Sequence, residues 1–200
     1  MKLKFDPNLQ FQIDAINAMV NVFDGQPLSE GDLEIGFKRQ DWIFQTELGV
    51  GNNLILDEEA ILKNVQLVQE RNGIEKVQFL QGIHFSVEME TGTGKTYVYL
   101  RTIFELNKKY GFKKYVIVVP SVAIREGVLK NLDITKEHFL HLYNNVSYDY
   151  FVYDSKKVNQ VRQFAISSQI QIMVINIDAF RKTLEDKDEE KKSNIIHRES

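Results

Sequence analysis

One segment limits the possible folds of this chain more than any other. Residues 88–100 read EMETGTGKTYVYL, in which glycines, threonines and a lysine stand between two apolar runs. The preceding letters HFSVEM alternate in the manner of a strand, and GKTYVYLRTIFELNKKYG has helical periodicity up to Gly111. A flexible turn between a strand and a helix is typical of α/β sheets, so this segment predicts that fold class.

The turn TGTGKT also has the composition of a phosphate-binding loop. Its glycines allow main-chain amides to converge on one point, and the start of the following helix adds unpaired amides. Lysine at this position is predicted to bridge the outer phosphates, and the next threonine to offer its hydroxyl to Mg²⁺. A plain glycine-rich turn, the competing interpretation, does not require lysine followed by threonine. The predicted ATP-binding residues are Thr91, Gly92, Thr93, Gly94, Lys95 and Thr96, with Lys95 and Thr96 catalytic and Thr96 also the Mg²⁺ ligand.

Downstream of the loop, the chain alternates between strand-like and helix-like segments. This order predicts a doubly wound sheet, mostly parallel, with helices on both faces. Two segments, KYVIVVP and IQIMVINI, are continuous β-branched or apolar runs, which are typical of strands buried on both faces. The predicted strands are KYVIVVP, YDYFVYD and IQIMVINI, and the predicted helices are SVAIREGVLKNL, TKEHFLHLYNN and KKVNQVRQFAISS.

The first part of the chain is predicted to be helical around a loop-rich insertion. Asp6 and Pro7 are suited to begin a helix that continues to Phe23. Residues 24–53 contain many glycines and are predicted to form loops, with short strands around Trp42 and Phe44. A second helix is predicted between a cap at Asp57 and a stop at Gly73. The predicted regions are therefore 1–75, this helical part; 76–184, the sheet-forming part; and 185–200, a charged and flexible tail.

Composition excludes several classes of protein. The 200 residues carry a formal charge of -3, so any contact with nucleic acid has to come from a local patch. There is no cysteine, which excludes disulfides and thiolate metal sites and favours a reducing cytoplasm. Neither a secretion signal nor a membrane-length apolar run is found, so we expect a cytoplasmic protein without membrane contact. The spacing of the histidines indicates structural or surface roles rather than a metal site: His84, His138, His141 and His197.

Taken together, METGTGKT, YVIVVPSVAIREGVLKNL and IQIMVINIDAF resemble the first RecA-like domain of superfamily-two helicases and translocases. Within that group the chain is similar to the Res subunit of type III restriction–modification enzymes. Met89 takes the place of the usual first glycine of the loop, and methionine is familiar there in these subunits. The resemblance implies a RecA-like P-loop NTPase domain, incomplete at its C-terminus. It also implies an ATP-dependent DNA translocase or helicase that is coupled to DNA cleavage in the full-length protein.

The same resemblance assigns residues to adenine and to DNA. Gln12 matches a glutamine placed against adenine, whose edge an amide can contact by donating and accepting; a solvent-facing glutamine is the alternative. In VVPSVAIREGV, Pro120, Ser121 and Arg125 match a motif that holds the sugar–phosphate backbone, and Asn176 in NIDAF corresponds to the next such motif. Alternatively, Ser121 only caps its helix and Arg125 is only solvated.

A further motif of such ATPases, an Asp-Glu pair after a strand, is not found downstream of Ala179. LDEEA at residues 56–60 has the letters, but it precedes the loop and resembles a helix cap. We therefore expect a partial chain that binds ATP weakly and hydrolyses it negligibly. The implied partners are double-stranded DNA and a modification methyltransferase subunit. The alternatives are another superfamily-two helicase or repair translocase, and a nucleotide-binding module without turnover.

Overall fold

The computed structural model describes residues 4–29 and 50–178, which divide into two compact units. The first unit comprises residues 4–29, Asn53–Phe112 and Ile134–Tyr143, and the second comprises 50–52, Lys113–Asp133 and 144–178. The elements in chain order are α1 (Gln10–Asn21), α2 (Glu58–Arg71), α3 (Lys95–Tyr110), β1 (Lys114–Val119), α4 (Val122–Leu142), β2 (Tyr148–Val152), α5 (Val158–Ile166) and β3 (Ile170–Asn176).

Helix α1 begins later than the sequence predicted. The Asp6 carboxylate accepts a bond from the Asn8 N–H at 2.9 Å, so it closes a turn ahead of the helix rather than capping it. The helix itself begins at Gln10 after Leu9, which provides no side-chain cap. Its buried residues follow a four-residue spacing: Gln12, Ile16 and Val20.

Helices α2 and α3 confirm the predictions made from local chemistry. The Asp57 carboxylate accepts a bond from the Ala60 N–H at 2.8 Å, so LDEEA is a helix cap. Helix α3 ends at Tyr110, and Gly111 then adopts a φ of 75°, the left-handed conformation that commonly stops a helix.

The predicted strand HFSVEM is wrong, because residues 74–90 form neither a strand nor a helix. Apolar side chains along this segment are instead exposed, Phe79 to 67% and Ile83 to 54%. A strand requires a neighbour to satisfy its main-chain groups. Among the described residues, all three strands belong to the second unit, so the first unit offers this segment no ladder.

The second unit contains a parallel sheet in the order β1-β3-β2. The central strand β3 is buried on both faces, as predicted for IQIMVINI. The same prediction is wrong for β1, where Val116 and Val118 are 46% and 49% exposed. As an edge strand of the described sheet, β1 has less cover than β3.

Helix α4 is continuous, where the sequence predicted two helices. No glycine or proline follows Gly127 within it, and Leu132 and Thr135 near its middle are completely buried. Because these two side chains are buried, a continuous helix is favoured here over two helices separated by a break. Within the described ranges, no helix has the length and apolar character needed to cross a membrane. The strands predicted around Trp42 and Phe44, and the tail 185–200, lie outside the described residues.

Two glycines, one directly after α3 and one inside α4, provide a test of the helix ends and interiors described above. A Cβ on Gly111 would be in the left-handed region and 2.5 Å from the Ser29 carbonyl oxygen, whereas one on Gly127 inside α4 would meet nothing within 4 Å. We expect Gly111→Ala to lower the free energy of unfolding by about 2–4 kcal/mol. Gly127→Ala should instead raise it by about 0.5–1 kcal/mol through higher helix propensity. Urea denaturation followed by circular dichroism measures both, and equal effects would contradict the described turn.

Candidate functional site

The loop before α3 has the conformation that its glycines permit. Gly92 and Gly94 have φ values of 83° and 86°, in the left-handed region that side chains disfavour. A Cβ on Gly92 would point into open space, so its lack of a side chain serves the backbone conformation. The chain curls through these residues and enters α3 at Lys95.

Side chains donate hydrogen bonds to carbonyl oxygens within this loop and just before it. The Lys95 ammonium donates to the carbonyl oxygens of Met89 and Glu90 at 2.6 and 2.7 Å. The Thr93 hydroxyl also donates to the Glu90 carbonyl, at 2.7 Å. The Gln12 amide Nε2 donates to the Thr93 carbonyl at 2.8 Å. The carbonyls of Met89, Glu90 and Thr93 are thus paired with side-chain donors.

The main-chain amides of the loop have no such partners. Within residues 4–29 and 50–178, no acceptor lies in hydrogen-bonding range of the N–H groups of residues 91–96. Amides of this kind, together with the helix start, attract anions. An ammonium has three donors, so Lys95 keeps one while it contacts two carbonyls. The loop therefore has the donor set that a polyphosphate requires.

Thr96, the predicted Mg²⁺ ligand, follows Lys95 and is half-buried. Burial raises the pKa of Tyr99, and a hydrogen bond with the Thr96 side chain opposes that rise. The Thr96 side chain therefore already has a partner on the first turn of α3. Three histidine or acidic side chains are nowhere close enough, among the described residues, to form a metal cluster.

The position of Gln12 excludes one interpretation of the sequence. Its side chain is only 7% exposed, so the solvent-facing alternative is wrong. Nε2 is used by the Thr93 carbonyl, and no described residue donates to Oε1. The oxygen of the amide is therefore the part that remains for a ligand.

The residues predicted to contact DNA lie in the second unit, and two of them, Ser121 and Asn176, lie at the same edge of its sheet. Val119 is paired with Asn176 across β1 and β3, and Ser121 follows two residues after Val119. The Ser121 hydroxyl accepts the Ile124 N–H at 3.3 Å, which is the predicted cap of α4. Ligands of open α/β sheets bind at this carboxyl edge.

Arg125 and Asn176 already have partners within the second unit. The Arg125 guanidinium donates to the Glu126 carboxylate at 2.9 Å, in an exposed ion pair of adjacent residues. The Asn176 Oδ1 accepts the Asp178 N–H at 3.1 Å, and the donors of its amide have no partner among the described residues. Pro120 connects β1 to Ser121.

Comparison with known proteins identifies the family. The profile described as "Type III restriction enzyme, res subunit" matches residues 10–197. The chain belongs to the type III Res subunit family. It is 36% identical over 161 residues to the EcoPI Res subunit of Escherichia phage P1, and 32% identical over 161 residues to the EcoP15I Res subunit of Escherichia coli. The StyLTI Res subunit of Salmonella typhimurium strain LT2 is 45% identical over 76 residues, which are 37% of this chain and 8% of that protein.

Membership in the Res family confirms the predicted α/β, RecA-like class of fold. The matches to the EcoPI and EcoP15I subunits cover 78% of this chain and 16% of each relative. The chain thus spans about one sixth of the length of those relatives.

A cluster beside the loop of this Res family chain was missed by sequence reasoning. The Tyr97 hydroxyl lies 2.8 Å from His138 Nε2, and burial lowers the pKa of His138, with Arg101 and then His141 adding to the effect. Arg101 also donates to the Pro7 carbonyl at 2.6 Å. The available signal was spacing, because Thr93, Tyr97, Arg101 and Glu105 follow one another at four-residue steps.

Proposed function

We propose that this chain is the ATP-binding motor segment of a type III restriction endonuclease. In the longer protein it would drive ATP-dependent translocation or unwinding of double-stranded DNA, coupled to cleavage. One observation carries the proposal: the amides of residues 91–96, at the start of α3, have no partner among the described residues, while side chains bind the carbonyls of Met89, Glu90 and Thr93. Membership in the Res family supports the same function.

Within this proposal, Lys95 neutralises the outer phosphates of ATP, and its two carbonyl contacts keep the ammonium at the rim of the loop. Thr96, whose side chain bonds Tyr99 in the structure, would hold Mg²⁺ through its hydroxyl. Bound Mg²⁺ supplies positive charge against the phosphoryl oxygens. Gln12 contacts adenine through Oε1, which can accept a bond from the exocyclic amino group.

For DNA, the proposed contacts are Pro120, Ser121, Arg125 and Asn176. Ser121 and Asn176 both lie at the carboxyl edge of the sheet, where a hydroxyl and an amide can hold phosphate oxygens. Such contacts fix a strand without reading its sequence. A modification methyltransferase subunit is the proposed partner that completes the restriction system.

Titration of the 200-residue chain with ATP and Mg²⁺ by isothermal calorimetry tests the nucleotide part of the proposal. Saturable binding of one nucleotide per chain is expected, and competition by ADP should accompany it. Absence of any heat of binding at millimolar ATP would refute this function.

The ion pair on α4 provides a test of the DNA contact. Arg125→Ala should weaken binding of a mixed-sequence duplex about 3- to 10-fold, because one phosphate contact is lost. For the same reason, the slope of the logarithm of the binding constant against the logarithm of the salt concentration should decrease in magnitude by about 1. Glu126→Gln should strengthen binding about 2-fold, because the arginine is then free of its carboxylate. Fluorescence anisotropy at several salt concentrations measures both.

Glu59→Gln is the matched control, since it changes the net charge equally at an exposed position in the first turn of α2. It should leave DNA affinity almost unchanged. Equal gains from both glutamate substitutions would show a general charge effect and contradict a specific role for Arg125.

A further inference from the structure

Gln12 makes a contact that base recognition alone does not require. It occupies the first position of the buried stripe of α1, ahead of Ile16 and Val20. A polar side chain on such a stripe has to be paired, and its Nε2 donates to the Thr93 carbonyl at 2.8 Å. The amide therefore fastens α1 to the loop, 81 residues further along the chain.

This bond sets the direction of a main-chain donor. In a planar trans peptide, the carbonyl of Thr93 and the N–H of Gly94 point in opposite directions. Because Gln12 holds the carbonyl, the Gly94 N–H is directed to the other side. No described residue accepts a bond from it there.

Gly94 is adapted to the presence of Gln12. A Cβ at Gly94 would lie 2.6 Å from the Gln12 Nε2, too close for both to remain in place. The φ of 86° at Gly94 also favours glycine. The residue thus provides the left-handed turn and the space for the amide at once.

The segment that precedes α1 is itself fastened to α3. The Phe5 ring stacks on Tyr97 with centroids 5.8 Å apart, and the Pro7 carbonyl accepts a bond from Arg101 at 2.6 Å. Tyr97 and Arg101 follow Thr93 at one-turn steps along the chain, so these contacts continue the one that Gln12 makes. Repeated contacts of this kind restrict the amide to one position before any ligand binds.

We propose that Gln12 is a positioning residue for the phosphate loop: its amide holds the Thr93 carbonyl so that the Gly94 N–H stays directed at a bound polyphosphate. The role is independent of the base, and it is distinct from the predicted adenine contact. It rests on the proposed nucleotide-binding function.

The test replaces Gln12 with methionine, which keeps the length of the side chain and removes the donor. Binding of ATP, ITP and inorganic tripolyphosphate to the 200-residue chain is measured by calorimetry with Mg²⁺. ITP lacks the 6-amino group of adenine, and tripolyphosphate lacks a base altogether. We expect Gln12→Met to weaken all three about tenfold, the value of one lost hydrogen bond. Gln12→Glu, whose carboxylate cannot donate, should reproduce the loss.

Gln10→Met is the matched control, because Gln10 lies on the exposed side of α1 and, among the described residues, its side chain hydrogen-bonds only to Asp14, at 2.7 Å. It should leave all three affinities unchanged, and circular dichroism should show intact folding of each variant. A loss confined to ATP, with ITP and tripolyphosphate unaffected, would overturn the proposal in favour of base reading alone. Unchanged affinities for all three would also overturn it. A wild-type chain that binds none of them would instead refute nucleotide binding itself.

Discussion

Replacing Lys95 with alanine is expected to weaken ATP binding by roughly 30- to 150-fold, because charge-assisted contacts to phosphate contribute about 2–3 kcal/mol. Lys95 is the cation that the structure places at the loop, where its ammonium spans the Met89 and Glu90 carbonyls. The substitution removes both the charge and these two hydrogen bonds, so the contacts that join the two ends of the loop are lost as well. Calorimetric titration with ATP and Mg²⁺ measures the change.

The fold should survive this substitution. The Lys95 side chain is exposed, so its removal creates no cavity, and surface changes of this kind usually alter stability by less than about 0.5 kcal/mol. Lys136→Ala, at an exposed position of α4, is the control for loss of one positive charge. ATP affinity equal in both variants would contradict the assignment of Lys95 to the phosphates.

Features encoded within a few residues were predictable from the sequence. The Asp57 cap and the end of α3 at Gly111 depend on single side chains or on the lack of one. The loop of residues 91–96 was predictable for the same reason, because two glycines, a lysine and a helix start are adjacent in the chain.

Features that depend on distant partners were not predictable. HFSVEM has strand periodicity, but a strand also requires a neighbour, and the first unit supplies none among the described residues. The exposed face of β1 follows from its edge position, which its composition does not reveal. Similarly, Gln12 was predicted as a site residue, but the sequence did not reveal its bond to Thr93, which joins residues 81 positions apart.

Contacts between residues far apart in the sequence also determine stability, as the aromatic cluster of Tyr97, Phe104 and Phe139 shows. Phe139 of α4 is completely buried in the first unit. Its ring centroid lies 4.8 Å from that of Phe104 and 5.5 Å from that of Tyr97, both on α3. Helix α3, which begins at the loop of residues 91–96, therefore packs against this side chain.

Phe139→Ala is expected to lower the free energy of unfolding by about 3–5 kcal/mol, because a buried ring is replaced by a cavity that close-packed neighbours cannot fill. A loss of this size is a large part of the total stability of a typical domain, about 5–15 kcal/mol. Urea denaturation followed by circular dichroism measures it. Phe79→Ala is the matched control: its ring is 67% exposed, and its removal should change stability by less than about 0.5 kcal/mol. If both substitutions had the same small effect, the packing of α4 against α3 described for the first unit would be incorrect.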